Sequence, residues 1–155
     1  MIETKYGNVL DIQTGVIVHG CNCQGVMGAG IALEIKNRFP EAYHEYKRIE
    51  QSRGLILGEI CGVEVSPNKF IINANTQDGY SRDKRAVSYD AIAECFKEVV
   101  SFVEAINTHR KINLGVFFPQ IGAGLGGGDW KIISAIIDAV VPDTISKTLY
   151  LLEPK

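Results

Sequence analysis

The chain has 155 residues, a formal net charge of −2, 46% apolar residues and 22% charged residues. That length suits one domain spanning residues 1–155 with a sizeable core, in the balance of an ordinary soluble globular protein. The slight acidity speaks against a duplex nucleic-acid binder, which carries clustered positive charge. No apolar run approaches the ~20 residues of a membrane span. Met1–Leu10 carries charges where a secretory leader carries an apolar stretch, so a cytoplasmic location is expected. Cys21 and Cys23 form a C-x-C with too short a gap for a zinc half-site, and Cys61 and Cys95 make no second pair. Buried free thiols are expected there, with no metal and no cofactor.

The first short apolar run, Gly15–His19, reads as a buried strand. Ile31, Ile35 and Phe39 recur at helical spacing and mark a helix that ends before Pro40, and a second helix follows from Glu41 to about Arg53. Ile56–Val65 and Lys69–Ala74 read as two further strands. Tyr89, Ile92, Ala93, Phe96, Val99, Val100, Val103 and Ile106 define one long amphipathic helix. Ile112–Phe118 reads as a strand, Ile132–Val140 as a helix and Thr148–Leu152 as a last strand. Strands alternating with helices predict an α/β domain whose mixed or mostly parallel sheet is covered on both faces. Such sheets bind ligands outside the carboxyl ends of their strands.

Two glycine-rich segments fall at that edge. Loop one runs from Gly20 to Gly30, after the strand ending near His19. Loop two runs from Pro119 to Trp130, after the strand ending near Phe118, and holds five glycines between Gly122 and Gly128. Glycine carries a conformational cost, so a cluster needs a reason. Close approach of backbone N–H groups to an anion, helped by the following helix N-terminus, supplies one; flexible turns supply another. The lysine of a nucleoside-triphosphatase phosphate loop is absent.

Eight side chains near the loops bear on chemistry. His19 belongs to the class that transfers protons near neutral pH, but its apolar strand equally suits a core histidine that tethers loop one. Asp129 stands before Trp130-Lys131-Ile132, where it reads as a helix N-cap or as a catalytic acid or base. Asn75, Thr76 and Gln77 end a predicted strand and suit either hydrogen bonding to a ligand or turn formation. Arg82, Lys84 and Arg85 offer charge to a terminal phosphate or form a solvated loop.

The stretch His19-Gly20-Cys21-Asn22-Cys23-Gln24-Gly25-Val26-Met27-Gly28-Ala29-Gly30-Ile31-Ala32, followed by Arg38-Phe39-Pro40, resembles the first phosphate loop and helix of macrodomains. Gly7-Asn8-Val9-Leu10 resembles their short motif near the adenine, and Pro119–Trp130 their second phosphate loop. The likeness runs along nearly the whole chain, toward the branch with ADP-ribose 1''-phosphate phosphatases and small ALC1-like members. It implies a three-layer fold with a mixed, six-stranded central sheet between helices. It implies adenine near Asn8 and Val9, with the Asn8 carbonyl accepting from the adenine amino group where many macrodomains carry Asp. It places the diphosphate against Met27, Gly28, Ala29, Gly30, Ile31 and Ala32 and against Gln120, Ile121, Gly122, Ala123, Gly124, Leu125 and Gly126. It places the distal ribose near Asn22 and Gly124; Asn75, Thr76 and Gln77, as strand-end residues, suit hydrogen bonding to that ribose or its phosphate, or ordinary turn chemistry. Ala32 stands where one hydrolase class has its Asp, and Gln77 and Gly126 stand where another has Lys and Asp. The expected function is therefore ADP-ribose binding, with hydrolysis of ADP-ribose 1''-phosphate and His19, Asn22 and Asp129 as the catalytic candidates. A non-catalytic reader of free or protein-linked ADP-ribose, and a hydrolase acting on ADP-ribosylated macromolecules through Lys84, stand as alternatives.

Overall fold

The computed structural model describes residues 1–79, 87–123 and 127–152. The sheet is built outward from β2 (Gly15–Asn22), whose Val16, Ile17 and Val18 are fully buried. Both faces of this strand are covered, which is why it reads as a continuous apolar run. Its neighbours are β4 (Lys69–Gln77) and β5 (Val116–Phe118), both parallel to it. β1 (Glu3–Tyr6), β3 (Ile60–Ser66) and β6 (Lys147–Leu151) complete six strands in the order β1-β6-β5-β2-β4-β3. Only β3 runs antiparallel, paired with β4, so the sheet is mixed.

Side-chain alternation on β2 sorts the core into two layers. Val16 and Val18 pack with Phe96 and Val99 of α3 (Tyr89–Arg110) and with Ile133 and Ile137 of α4 (Trp130–Val140). Ile17 points the other way, to Ile35 of α1 (Gly30–Arg38) and Ala42 of α2 (Pro40–Arg53). The result is a three-layer α/β architecture, helices on both faces of a central mixed sheet, as the resemblance implied. No helix among the described residues is long and apolar enough to cross a membrane, and no cluster of metal-ligating side chains occurs among them.

Five strands differ most from the sequence expectation. β1 has no apolar alternation, because all four of its residues are exposed on an edge strand. Residues 56–59 form a turn rather than strand, and β3 starts at Ile60. β5 is three residues long because Asn107 clamps the segment before it: its Oδ1 accepts from Leu114 N and its Nδ2 donates to Leu114 O. β2 and β4 extend to Asn22 and Gln77, beyond the apolar runs that announced them.

The parallel strands β2, β4 and β5 end on one edge, which brings loop one, the segment after β4 and loop two together. At the opposite end of α4, Lys147 is buried and donates to the carbonyls of Asp138 (2.9 Å) and Val141 and to the Asp138 carboxylate (2.9 Å). It satisfies carbonyls that a helix C-terminus leaves without partners. Lys147→Met keeps the stem and removes the ammonium. It is expected to lower unfolding free energy by about 2 kcal/mol, the scale of charge-assisted bonds, read as a lower urea midpoint at unchanged m-value.

Candidate functional site

Loop one is folded around a single amide. Asn22 Oδ1 accepts from Gln24 N (3.0 Å), from Val26 N (3.3 Å) and from the Tyr46 hydroxyl (2.9 Å), while its Nδ2 donates to Val26 O (2.8 Å). Tyr46 also reaches the backbone oxygen of Asn22 (2.7 Å). The tyrosine lies fully buried on α2, one turn after Ala42 on the same helix face, and burial pushes its phenol well above the usual range. Gly25 sits at φ +80°, and a Cβ there would stand 2.5 Å from the Glu50 carboxylate, so the tight turn requires glycine. Met27 then packs beside Cys21 and Tyr46, anchoring the far end of the loop.

Gly28, Ala29 and Gly30 emerge exposed, and α1 begins. Ala29 occupies the N-cap position and makes no side-chain cap bond, and the first turn holds no acidic residue. The amides of Gly30, Ile31 and Ala32 and the positive end of the helix dipole therefore stand after loop one without the usual side-chain partner. The other two helices that begin near this edge are capped: Ser88 Oγ accepts from Ala91 N (3.1 Å) and Asp129 Oδ1 from Lys131 N (2.9 Å).

Loop two is pinched at its base. Gly128 N donates to Gly122 O (2.7 Å), and a Cβ on either glycine would come within 2.7 Å of the Val87 side chain. Packing over Val87 thus accounts for glycine at both positions. Ile121 is buried beneath, Gln120 is exposed, and Gly122 and Ala123 are half-buried. Gly124, Leu125 and Gly126 lie outside the described residues, as do Arg82, Lys84 and Arg85.

The expected catalytic residues are placed differently from one another. His19 has no solvent exposure. Its Nε2 meets Asn73 Oδ1 at 2.6 Å, and because Asn73 Nδ2 donates to Ala42 O (3.0 Å), the imidazole is the donor. Burial lowers its pKa to about 4, against a weaker opposing effect of the Asn73 bond. The arrangement is that of a neutral core histidine joining β2, β4 and α2, with no open path to the cleft. Asn22 lines the site but spends its oxygen on the loop itself. Asp129 is exposed at the start of α4; one oxygen caps the helix, and its backbone N–H meets the Tyr89 hydroxyl (3.0 Å).

The remaining expected contacts also acquire local partners. Asn8 Oδ1 accepts from Leu10 N (2.9 Å) and its Nδ2 donates to Glu34 (2.7 Å), so only one lone pair is left for a base. Glu34 is linked through Arg38 to Asp11, and Val9 is buried. Asn75 donates to Ile56 O (3.1 Å), Thr76 is fully buried, and Gln77 donates to Gly79 O (3.1 Å). Two contributors escaped the sequence reading. One is Tyr46. The other is Gln24, whose amide bonds both Asp78 Oδ1 (2.5 Å) and Gly79 N (2.7 Å) and so ties loop one to the segment after β4.

Residues 18–137 match the Macro domain family. The chain belongs to this family. The macrodomain is 30% identical over 91% of its length to a Mycobacterium tuberculosis protein named DNA ADP-ribosyl glycohydrolase, of which the match covers 42%. The chain thus spans about two-fifths of the length of that relative. It is 28% identical to an ADP-ribose 1''-phosphate phosphatase of Scheffersomyces stipitis, over 79% of this chain and 81% of that protein. Among solved structures, a Bacteroides thetaiotaomicron protein superposes with a TM-score of 0.84 at 29% identity, covering 97% of this chain and 99% of that one.

Two outcomes follow from the macrodomain's geometry. Tyr46→Phe leaves Asn22 short of a donor and is expected to cost about 1–2 kcal/mol in urea unfolding, with faster amide exchange at Gln24 and Val26. For His19, the unfolded state binds a proton below pH 6.5 and the folded state only below about pH 4. Stability is full above pH 6.5 and falls across that window by up to about 3 kcal/mol. Urea midpoints measured from pH 7 to pH 4 should show this slope, and His19→Gln should flatten it.

Proposed function

We propose that this macrodomain, taken as one domain over residues 1–155, binds ADP-ribose and hydrolyses the terminal phosphate of ADP-ribose 1''-phosphate. The observation that carries the reading is the uncapped, acid-free first turn of α1 at the carboxyl end of β2. Three amides and a helix dipole aimed into a cleft suit a diphosphate, which is anionic and rich in acceptor oxygens. The exposed Gly28-Ala29-Gly30 backbone lets that diphosphate approach closely. The yeast phosphatase supports the hydrolytic half, because the match covers most of both chains.

In this reading water attacks the 1''-phosphate phosphorus as the P–O bond to the C1'' oxygen breaks. That oxygen leaves as the ribose hydroxyl with a proton, and inorganic phosphate is released. Backbone amides stabilise the charge on the phosphate oxygens. Of the three catalytic candidates, Asp129 alone combines exposure with a carboxylate oxygen that has no partner among the described residues. It is the group assigned to take the proton from water. His19 serves as scaffold, and Asn22 shapes the loop.

The test is phosphate release from ADP-ribose 1''-phosphate by the purified chain. Asp129→Asn should lower kcat by about a hundredfold or more, yet leave stability within about 0.5 kcal/mol because Asn caps helices as well as Asp. Unchanged kcat in that variant removes the assignment. The commitment of His19 and Asn22 to scaffold bonds favours a second reading, a non-catalytic reader of ADP-ribose. Calorimetric binding of ADP-ribose without any phosphate release would decide for it. Removal of ADP-ribose from macromolecules is less favoured, because the neutral amide of Gln77 replaces the lysine such hydrolases use after this strand. Retained de-modification activity in wild type, abolished in Lys84→Ala, would restore it.

A further inference from the structure

Thr76 combines three features that its packing does not explain. First, its Oγ1 is the one buried side-chain oxygen or nitrogen without a hydrogen-bond partner among the described residues. Every other fully buried polar group discussed above has its partner: His19 meets Asn73, and Asn73 meets Ala42. A buried hydroxyl without a bond is costly, and valine would fill the same volume without that cost. Second, Thr76 is an extra residue in the β2–β4 ladder. Cys21 pairs with Asn75 and Asn22 with Gln77, which leaves Thr76 bulged at the carboxyl end of β4. A bulge re-aims a side chain, and bulges gather next to functional sites. The distortion is held on the other side, where Ser88 N donates to Thr76 O (2.8 Å).

Third, the residue across from the hydroxyl is Gly20. A Cβ at Gly20 would stand 2.7 Å from Thr76 Oγ1 and 3.0 Å from Ile121 Cγ2. The hydroxyl therefore lies between the end of β2 and the first residues of loop two, in a space that any larger residue at position 20 would fill. The Ile121 side chain bounds the same space on the loop-two side. Both flanking segments are those that form the cleft.

We propose that the Thr76 hydroxyl is a ligand-binding group for the sugar beyond the diphosphate, engaged when the Ile121 side chain swings aside. This rests on the ADP-ribose reading and assigns a specificity-determining residue to that site. The chemistry favours a ribose hydroxyl over a phosphate oxygen. A threonine hydroxyl both donates and accepts, as a ribose hydroxyl does, and carries no positive charge of its own to match a phosphate. A site built to bond a hydroxyl discriminates strongly, because a ligand lacking the group leaves the protein's own group without a partner.

The experiment compares wild type, Thr76→Val and Thr76→Ser by calorimetry with ADP-ribose and with ADP, alongside melting temperatures. Wild type should bind ADP-ribose more tightly than ADP. Thr76→Val should melt at or above the wild-type temperature and bind ADP-ribose about tenfold more weakly, with ADP affinity unchanged. Thr76→Ser should keep wild-type affinity for both ligands. Equal ADP-ribose affinity in Thr76→Val overturns the proposal, as does an equal loss toward ADP or an equal loss in Thr76→Ser. If Thr76→Val does not fold, Thr76→Ser and Thr76→Ala, which differ by the hydroxyl alone, give the same comparison. Failure of wild type to bind ADP-ribose at all instead overturns the reading on which the proposal rests.

Discussion

The cleft depends on one constraint, the clamping of the Asn22 amide at the end of β2. The strand arrives from the centre of the sheet, buried on both faces, and must turn within a few residues into α1. Asn22 supplies the acceptor and donor that fold residues 22–26, and the Tyr46 hydroxyl fixes that amide from α2. Because these groups are buried, each bond is maintained against the cost of leaving a polar group without a partner. The rigid turn is what allows Gly28–Gly30 to stand exposed and α1 to start without a cap.

This division of labour explains why, among the described residues, few polar side chains at this edge are without a local partner. Polar residues at the sheet's carboxyl edge are mostly spent on building it. His19 joins two strands and a helix, Asn75 holds the chain before β3, Gln24 bridges to Asp78 and Gly79, and Asp129 caps α4. The anion-binding capacity resides in backbone amides instead, which carry no sequence signature beyond glycine and the absence of a cap. Binding is accordingly the part of the function most directly supported by the fold. The proposed hydrolysis rests on a single exposed carboxylate, Asp129.

Much of the fold was legible because burial imposes periodicity. β2, β4 and the long helix α3 each bury an apolar pattern that no other element would satisfy, and the Asp129 cap followed from its place before Trp130. β1 was silent because an exposed edge strand needs no apolar alternation. The segment before β5 looked like strand because Ile112 and Leu114 are apolar, but Asn107 captures the Leu114 backbone first. At the site, the glycine loops were readable as places of close approach. The Tyr46–Asn22 and Gln24–Asp78 contacts were not, since each joins residues far apart in sequence and neither pattern marks its partner. The Thr76 bulge was invisible for the same reason: register is a property of two strands, not one.

In the proposed function, the first turn of α1 holds an anion through its backbone. Titrating the isotopically labelled chain with ADP, followed by amide nuclear magnetic resonance, tests it directly. The largest saturable shifts should fall on Gly30, Ile31 and Ala32, with smaller ones at Gly122 and Ala123. Shifts that spare these amides and gather elsewhere, such as the groove between Met1, Trp130, Ser134 and Asp138, would contradict it.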